Sequence, residues 1–142
     1  MFQLATNVSV AILLLRTLTG VLFFFQGYDK IFNIKIDKVV NLFTSPYDSQ
    51  IRIPVSVLKP IVFLSSWIEF LGGAFLFLGF FKTYTLYLLS ADLFFVAFAF
   101  SVIKPMWDMQ YYFPRLIFIL LLLIIPSYWD LFSLDNILNL RF

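Results

Sequence analysis

The sequence predicts an all-α membrane protein: a four-transmembrane-helix bundle with an amphipathic interfacial helix between helices one and two. Three observations predict it. Hydrophobic residues make up 62% of the chain and charged residues only 13%, against about 45–50% and about 25% in soluble domains. Mean hydropathy is correspondingly high at +0.96. The apolar residues also fall in runs of bilayer length, about 20 residues each, with tyrosine and tryptophan gathered at the ends of those runs.

The first run extends from Val8 to Tyr28. Val8 to Leu15 alone is as short as the core of a signal peptide. No Lys or Arg precedes it, however, and no small-residue cleavage site follows Arg16, so it reads as a retained helix. The second run starts at Pro60, a residue suited to the first helical position, and ends near Phe81. The third spans Tyr84 to Ile103, and the fourth Phe113 to Trp129 with a kink or stop at Pro126. Tyr84, Tyr87, Trp107, Tyr111, Tyr112, Tyr128 and Trp129 mark the ends. Between helices one and two, over residues 33–45, Ile36, Val39, Val40 and Phe43 recur at helical spacing, with Lys35, Asp37, Lys38 and Asn41 on the other side. That is the pattern of a helix lying in the interface. A tight turn around Lys82 and Thr83 makes the second and third helices an antiparallel hairpin. Residues 1–142 are expected to form one domain without internal repeats.

The composition also excludes function classes. With no Cys and no His, disulfides, iron–sulfur clusters and the usual zinc, haem and general-base residues are out of reach. A net charge of +2 without a basic run gives nucleic acid nothing to bind. The expected partners are the lipid bilayer and other membrane subunits. No metal or covalently bound cofactor is expected, and a quinone or a lipid would be held by carboxylates, arginine, amides or rings. Lys30, Lys35, Lys38, Arg52, Lys59, Lys104 and Arg115 fall on one side, Lys82 and Arg141 on the other. The positive-inside rule then places the first loop in the cytoplasm.

Three charges fall inside the predicted helices: Arg16, Glu69 and Asp92. At 1.5 Å per residue they lie about 12–14 Å along their segments, a similar depth, and intramembrane charges face the bundle interior. Arg16, Gly20, Phe23, Gly27 and Lys30 make one stripe, and Ser65, Glu69, Gly72, Gly73 and Leu76 another. Small residues bring helix backbones together. The stripes are therefore expected to face each other through Gly20, Gly27, Gly72 and Gly73, with Arg16 against Glu69, and with Asp92 completing a triad or pairing with Lys30. Two readings stay open: a polar cluster that only fixes helix register, or one that handles protons or a ligand. Gln26, Asp29 and Lys30 are either a helix C-terminus or the mouth of a site for a headgroup or a quinone-like ring. Trp67 is either packing or a ring-stacking element.

Arg16-x-x-x-Gly20, then Phe24-Phe25-Gln26-Gly27-x-Asp29-Lys30-Ile31-Phe32, then Glu69-x-x-Gly72-Gly73 with Leu76-x-Leu78-Gly79, resembles the DoxX/DoxD-like integral membrane proteins. The specific part lies in the first eighty residues; helices three and four match in hydropathy. The resemblance implies the cytoplasmic membrane of a prokaryote and redox associations, through an archaeal terminal oxidase system, thiosulfate:quinone oxidoreduction and oxidative-stress partners. It implies a bundle similar in outline to the methylamine-utilisation and vitamin K epoxide reductase proteins, whose cysteine chemistry does not transfer to a chain without cysteine. Three functions follow: a small accessory subunit, structural or assembly, of a larger membrane complex; a quinone-linked oxidoreductase component built on Arg16, Glu69 and Asp92; or a small-solute carrier or channel.

Overall fold

The computed structural model describes residues 2–44, 54–103 and 109–138, and every regular element within them is helical. Helix α1, Phe2–Tyr28, continues into a π-helical turn, Asp29–Asn33. Then come α2 (Ile36–Thr44), α3 (Val55–Leu78), α4 (Lys82–Ile103), α5 (Met109–Ile124), a 3₁₀ turn at Ser127–Trp129 and a short α6 at Leu134–Ile137. Two helical stretches, Thr6–Asn33 and Val55–Leu78, are long and apolar enough to cross a membrane, and α5 carries a shorter one, Tyr112–Ile124. The return after α2 and the positions of Arg52, Lys104, Trp107 and Arg141 lie outside the described residues.

Several boundaries differ from the sequence expectation. Helix α3 starts at Val55, not Pro60, because Pro54 takes the N-cap with φ −58°. The Val57 and Leu58 amides bond back to its carbonyl at 3.0 and 3.1 Å, leaving Pro60 inside the helix. Helix α5 starts at Met109, a turn before Phe113, and ends at Ile124, so of the two expected endings the stop at Pro126 holds and the kinked continuation to Trp129 does not. The residues after Tyr28 do not join the interfacial helix. They close a π turn through the Ile34 amide and the Asp29 carbonyl at 2.7 Å, and Lys35, at φ 68°, redirects the chain into α2.

Helices α1 and α3 touch backbone to backbone. A Cβ on Gly20 would stand 2.6 Å from the Phe77 nitrogen, and one on Gly27 or Gly73 would overlap the backbone of Phe70 or Phe24. Gly72 differs: it faces the Leu89 side chain on α4. The hydroxyls of Thr17, Thr19, Ser66 and Ser90 donate to carbonyls one turn back, which satisfies them within apolar surroundings. Ile12, Phe23, Leu76, Leu86, Leu89, Leu93, Ile119 and Leu122, from α1, α3, α4 and α5, form one buried apolar layer. Helix α2 seats Val39 and Val40 on Leu58 and Val62, as its apolar spacing requires.

Candidate functional site

Polar side chains collect on both sides of that apolar layer. On one side lies Arg16, only 1% exposed. It does not meet Glu69. Its Nε stands 3.1 Å from Asp130 Oδ2, its Nη1 donates to the Leu76 and Phe77 carbonyls at 2.9 and 2.8 Å, and its Nη2 to the Phe132 carbonyl at 3.3 Å. A helix leaves its last carbonyls unpaired, and a cation there also complements the helix dipole. Arg16 is thus the side-chain cap of α3. Lys82 Nζ reaches the same Asp130 oxygen at 3.2 Å. The Asp135 carboxylate in turn accepts the Phe81 and Lys82 amides at 2.8 and 2.7 Å, at the start of α4.

The turn between α3 and α4 is shaped around this arginine. Gly79 adopts φ 72° and its amide bonds to Leu76, while the Phe80 amide bonds to Phe75 at 2.9 Å, a helix-terminating pattern that favours glycine. A Cβ there would also lie 2.5 Å from Arg16 Nη1. The Asp135 amide closes the arrangement onto the Gly79 carbonyl at 3.0 Å. Two cations, Arg16 and Lys82, thus meet two carboxylates, Asp130 and Asp135, within a shell of protein carbonyls and amides.

On the other side of the layer lies Glu69, 1% exposed. Both of its oxygens accept from Lys30 Nζ, at 2.8 and 2.6 Å, and the π turn directs that lysine inward. Asp92 of α4 and Arg115 of α5 lie within electrostatic range of Glu69, and Asp92 faces Ser65, one turn before Glu69 on α3. Tyr112 of α5 donates to the Leu93 carbonyl at 2.7 Å, which pins α5 beside Asp92. Charges balance here too, Lys30 and Arg115 against Glu69 and Asp92. Hydrogen bonds do not. Gln26 Oε1 is buried without a partner, and Asp92 Oδ2 and Ser65 Oγ approach each other but are otherwise unmatched; buried polar atoms left so are uncommon in native proteins.

The expected cluster of Arg16, Glu69 and Asp92 is therefore two centres. Arg16 lies level with Leu76 and Phe77, seven residues beyond Glu69 and so about 10 Å away along α3. The expected mouth divides as well. Gln26 and Lys30, one turn apart, belong to the Glu69 side, whereas Asp29 is exposed and its carboxylate accepts from Asn33. Trp67 packs edge-on to Phe70, and its indole nitrogen has no partner. Reading the sequence missed Asp130, Asp135, Lys82, Tyr112 and Arg115 as members of these centres. One signal was available: Ser133, three residues before Asn136, is a helix N-cap pattern, and its hydroxyl does accept the Asn136 amide. It marks the segment after Pro126 as folded structure instead of a trailing end.

No curated protein and no solved structure is significantly similar to the chain. The DoxX family model matches residues 11–102, a span that holds Arg16, the Gly20–Gly27–Gly73 contact, the Lys30–Glu69 pair and Asp92. With well over half of its length matched, the chain belongs to the DoxX family of membrane proteins.

Proposed function

We propose that this DoxX-family chain is a four-span protein of a prokaryotic inner membrane, folded as one transmembrane domain with α2 on the cytoplasmic surface. It serves as a small accessory subunit of a larger redox-associated membrane complex and holds the head of a quinone-class carrier at the Glu69 centre. The observation that carries the ligand is the set of buried oxygens whose hydrogen bonding the protein leaves incomplete, Asp92 Oδ2, Ser65 Oγ and Gln26 Oε1, on the same side of the bundle as the Lys30–Glu69 pair. With Asp92 ionised, its carboxylate and the Gln26 amide oxygen only accept, so a guest that brings donors fits them, and the hydroxyls of a reduced quinone ring do. Carbonyl oxygens of the oxidised ring would accept from Lys30 Nζ and the Ser65 hydroxyl. The carrier supplies the transfer of two electrons and two protons. Glu69 and Asp92 hold protons near the ring, and Lys30 and Arg115 keep both carboxylates compatible with burial. Electron donors are assigned to a partner subunit, because a chain without Cys or His lacks the usual ligands of haem and iron–sulfur centres.

Native purification in mild detergent tests both halves. Larger subunits and extractable quinone should accompany the wild-type chain, and Asp92→Asn should lose quinone while keeping the subunits. Copurifying subunits without quinone would leave a purely structural or assembly role, which the balanced charges of both centres favour. A carrier or channel stands behind these readings, because Phe23, Leu76 and Leu89, each 0% exposed, lie in the layer between the two polar centres. Flux in proteoliposomes would bring it forward.

A further inference from the structure

At the edge of the bundle, α2 and the first two turns of α3 enclose a groove of about 440 Å³ lined by Ile36, Val55, Ser56, Lys59, Pro60 and Phe63. Small-molecule sites span about 300–1,000 Å³. The trough is apolar along Ile36, Val55, Pro60 and Phe63, with Ser56 and Lys59 as its polar members. Lys59 pairs with Asp37 of α2 at 2.6 Å, but the two side chains are 55% and 73% exposed. A pair so open to water is a weak contact that another anion can replace. Lys35 and Lys38 lie within two residues of Asp37 in the chain and are exposed, which adds positive charge to this end of α2. The positive end of the α3 dipole, at Val55, adds to the same field.

An apolar trough with a basic rim, beside an amphipathic helix of interfacial character, fits one kind of partner. We infer that the groove binds one anionic phospholipid. An acyl chain lies along Ile36, Val55, Pro60 and Phe63, and the phosphate takes the place of Asp37 on Lys59. A zwitterionic lipid offers the same chain and phosphate, but its ammonium cancels the charge; preference for the anionic headgroup is therefore the signature of this site. The inference is independent of any ligand at the Glu69 centre.

The test uses the full chain in vesicles containing trace photoactivatable phosphatidylglycerol or phosphatidylcholine, with peptide mapping of the labelled sites. Phosphatidylglycerol should label the segments around Ile36 and Phe63 in preference to phosphatidylcholine. A basic residue near an anionic surface contributes about fivefold in binding, so Lys59→Gln should reduce the preference by about that factor and Lys59→Arg should retain it. Val55→Trp, which fills the trough, should remove labelling by both lipids, with circular dichroism showing unchanged helicity in each variant. Equal labelling by the two lipids in the wild type, or a preference untouched by Lys59→Gln, overturns the inference.

Discussion

Asp130→Asn is the sharpest probe of how this bundle is held together. Asp130 is 0% exposed and serves two buried cations, Arg16 and Lys82. Removing one member of a buried ion pair costs about 3–5 kcal/mol, because the other charge stays behind without compensation. Asp135 remains within electrostatic range of Arg16, and the Asn carbonyl can still accept one hydrogen bond, so the expected loss is near the lower bound, about 3 kcal/mol. Equilibrium unfolding in mixed micelles measures it. Replacing both Arg16 and Asp130, with Arg16→Met and Asp130→Leu, should recover only part, since buried Lys82 then lacks its carboxylate and the Phe77 and Phe132 carbonyls lose the donor they have from Arg16, an unmet buried acceptor costing about 1–3 kcal/mol. A double-mutant cycle then separates the two centres. Arg16 with Asp130 should show a coupling of about 2 kcal/mol or more, and Arg16 with Glu69 less than about 0.5 kcal/mol. Coupling of Arg16 to Glu69 that matches its coupling to Asp130 would refute the division of the interior charges.

Three further expectations can be checked by the same unfolding measurement. Gly73→Ala forces the α1 and α3 backbones apart and should cost about 1–3 kcal/mol, whereas Gly72→Ala meets only the movable Leu89 side chain at 2.9 Å and should cost less than about 1 kcal/mol. Gly79→Ala combines φ 72° with the nearby guanidinium and should cost at least about 1–3 kcal/mol; a neutral result would remove the turn's role in seating Arg16. Lys30→Glu and Glu69→Lys should each destabilise the chain, and the two together should recover much of the loss, because the pair they invert is bonded at both carboxylate oxygens.

Much of the fold was legible because hydrophobic length and period are local properties. The interfacial helix was readable from Ile36, Val39 and Val40, and the α1–α3 contact from the spacing of Gly20, Gly27 and Gly73. The partner of Arg16 was not. Depth along α1 does not say which turn of α3 it meets: Gly20 lies against Phe77 and Gly27 against Phe70, a register that puts Arg16 beside the last carbonyls of α3 and not beside Glu69. Asp130 went unread for a related reason: a segment after a helix-ending proline looks like an exit from the bundle, and only the tertiary fold returns it to Arg16. Arg115 was counted with the loop charges because it stands near the start of its helix, where hydropathy alone cannot say which way a side chain turns.

The Arg16–Asp130 pair has a consequence for how the chain is made. Arg16 leaves the ribosome before its carboxylate, which follows more than a hundred residues later. At about 5–20 residues per second, the first helix must wait on the order of ten seconds with an uncompensated guanidinium. During that interval it has to be sheltered, by the insertion machinery or by snorkelling toward headgroups. Arrival of Asp130 supplies the missing carboxylate, so the turn after α5 completes the setting of the first helix. Nascent chains stalled or truncated before Asp130 would keep a helix carrying a guanidinium without its carboxylate.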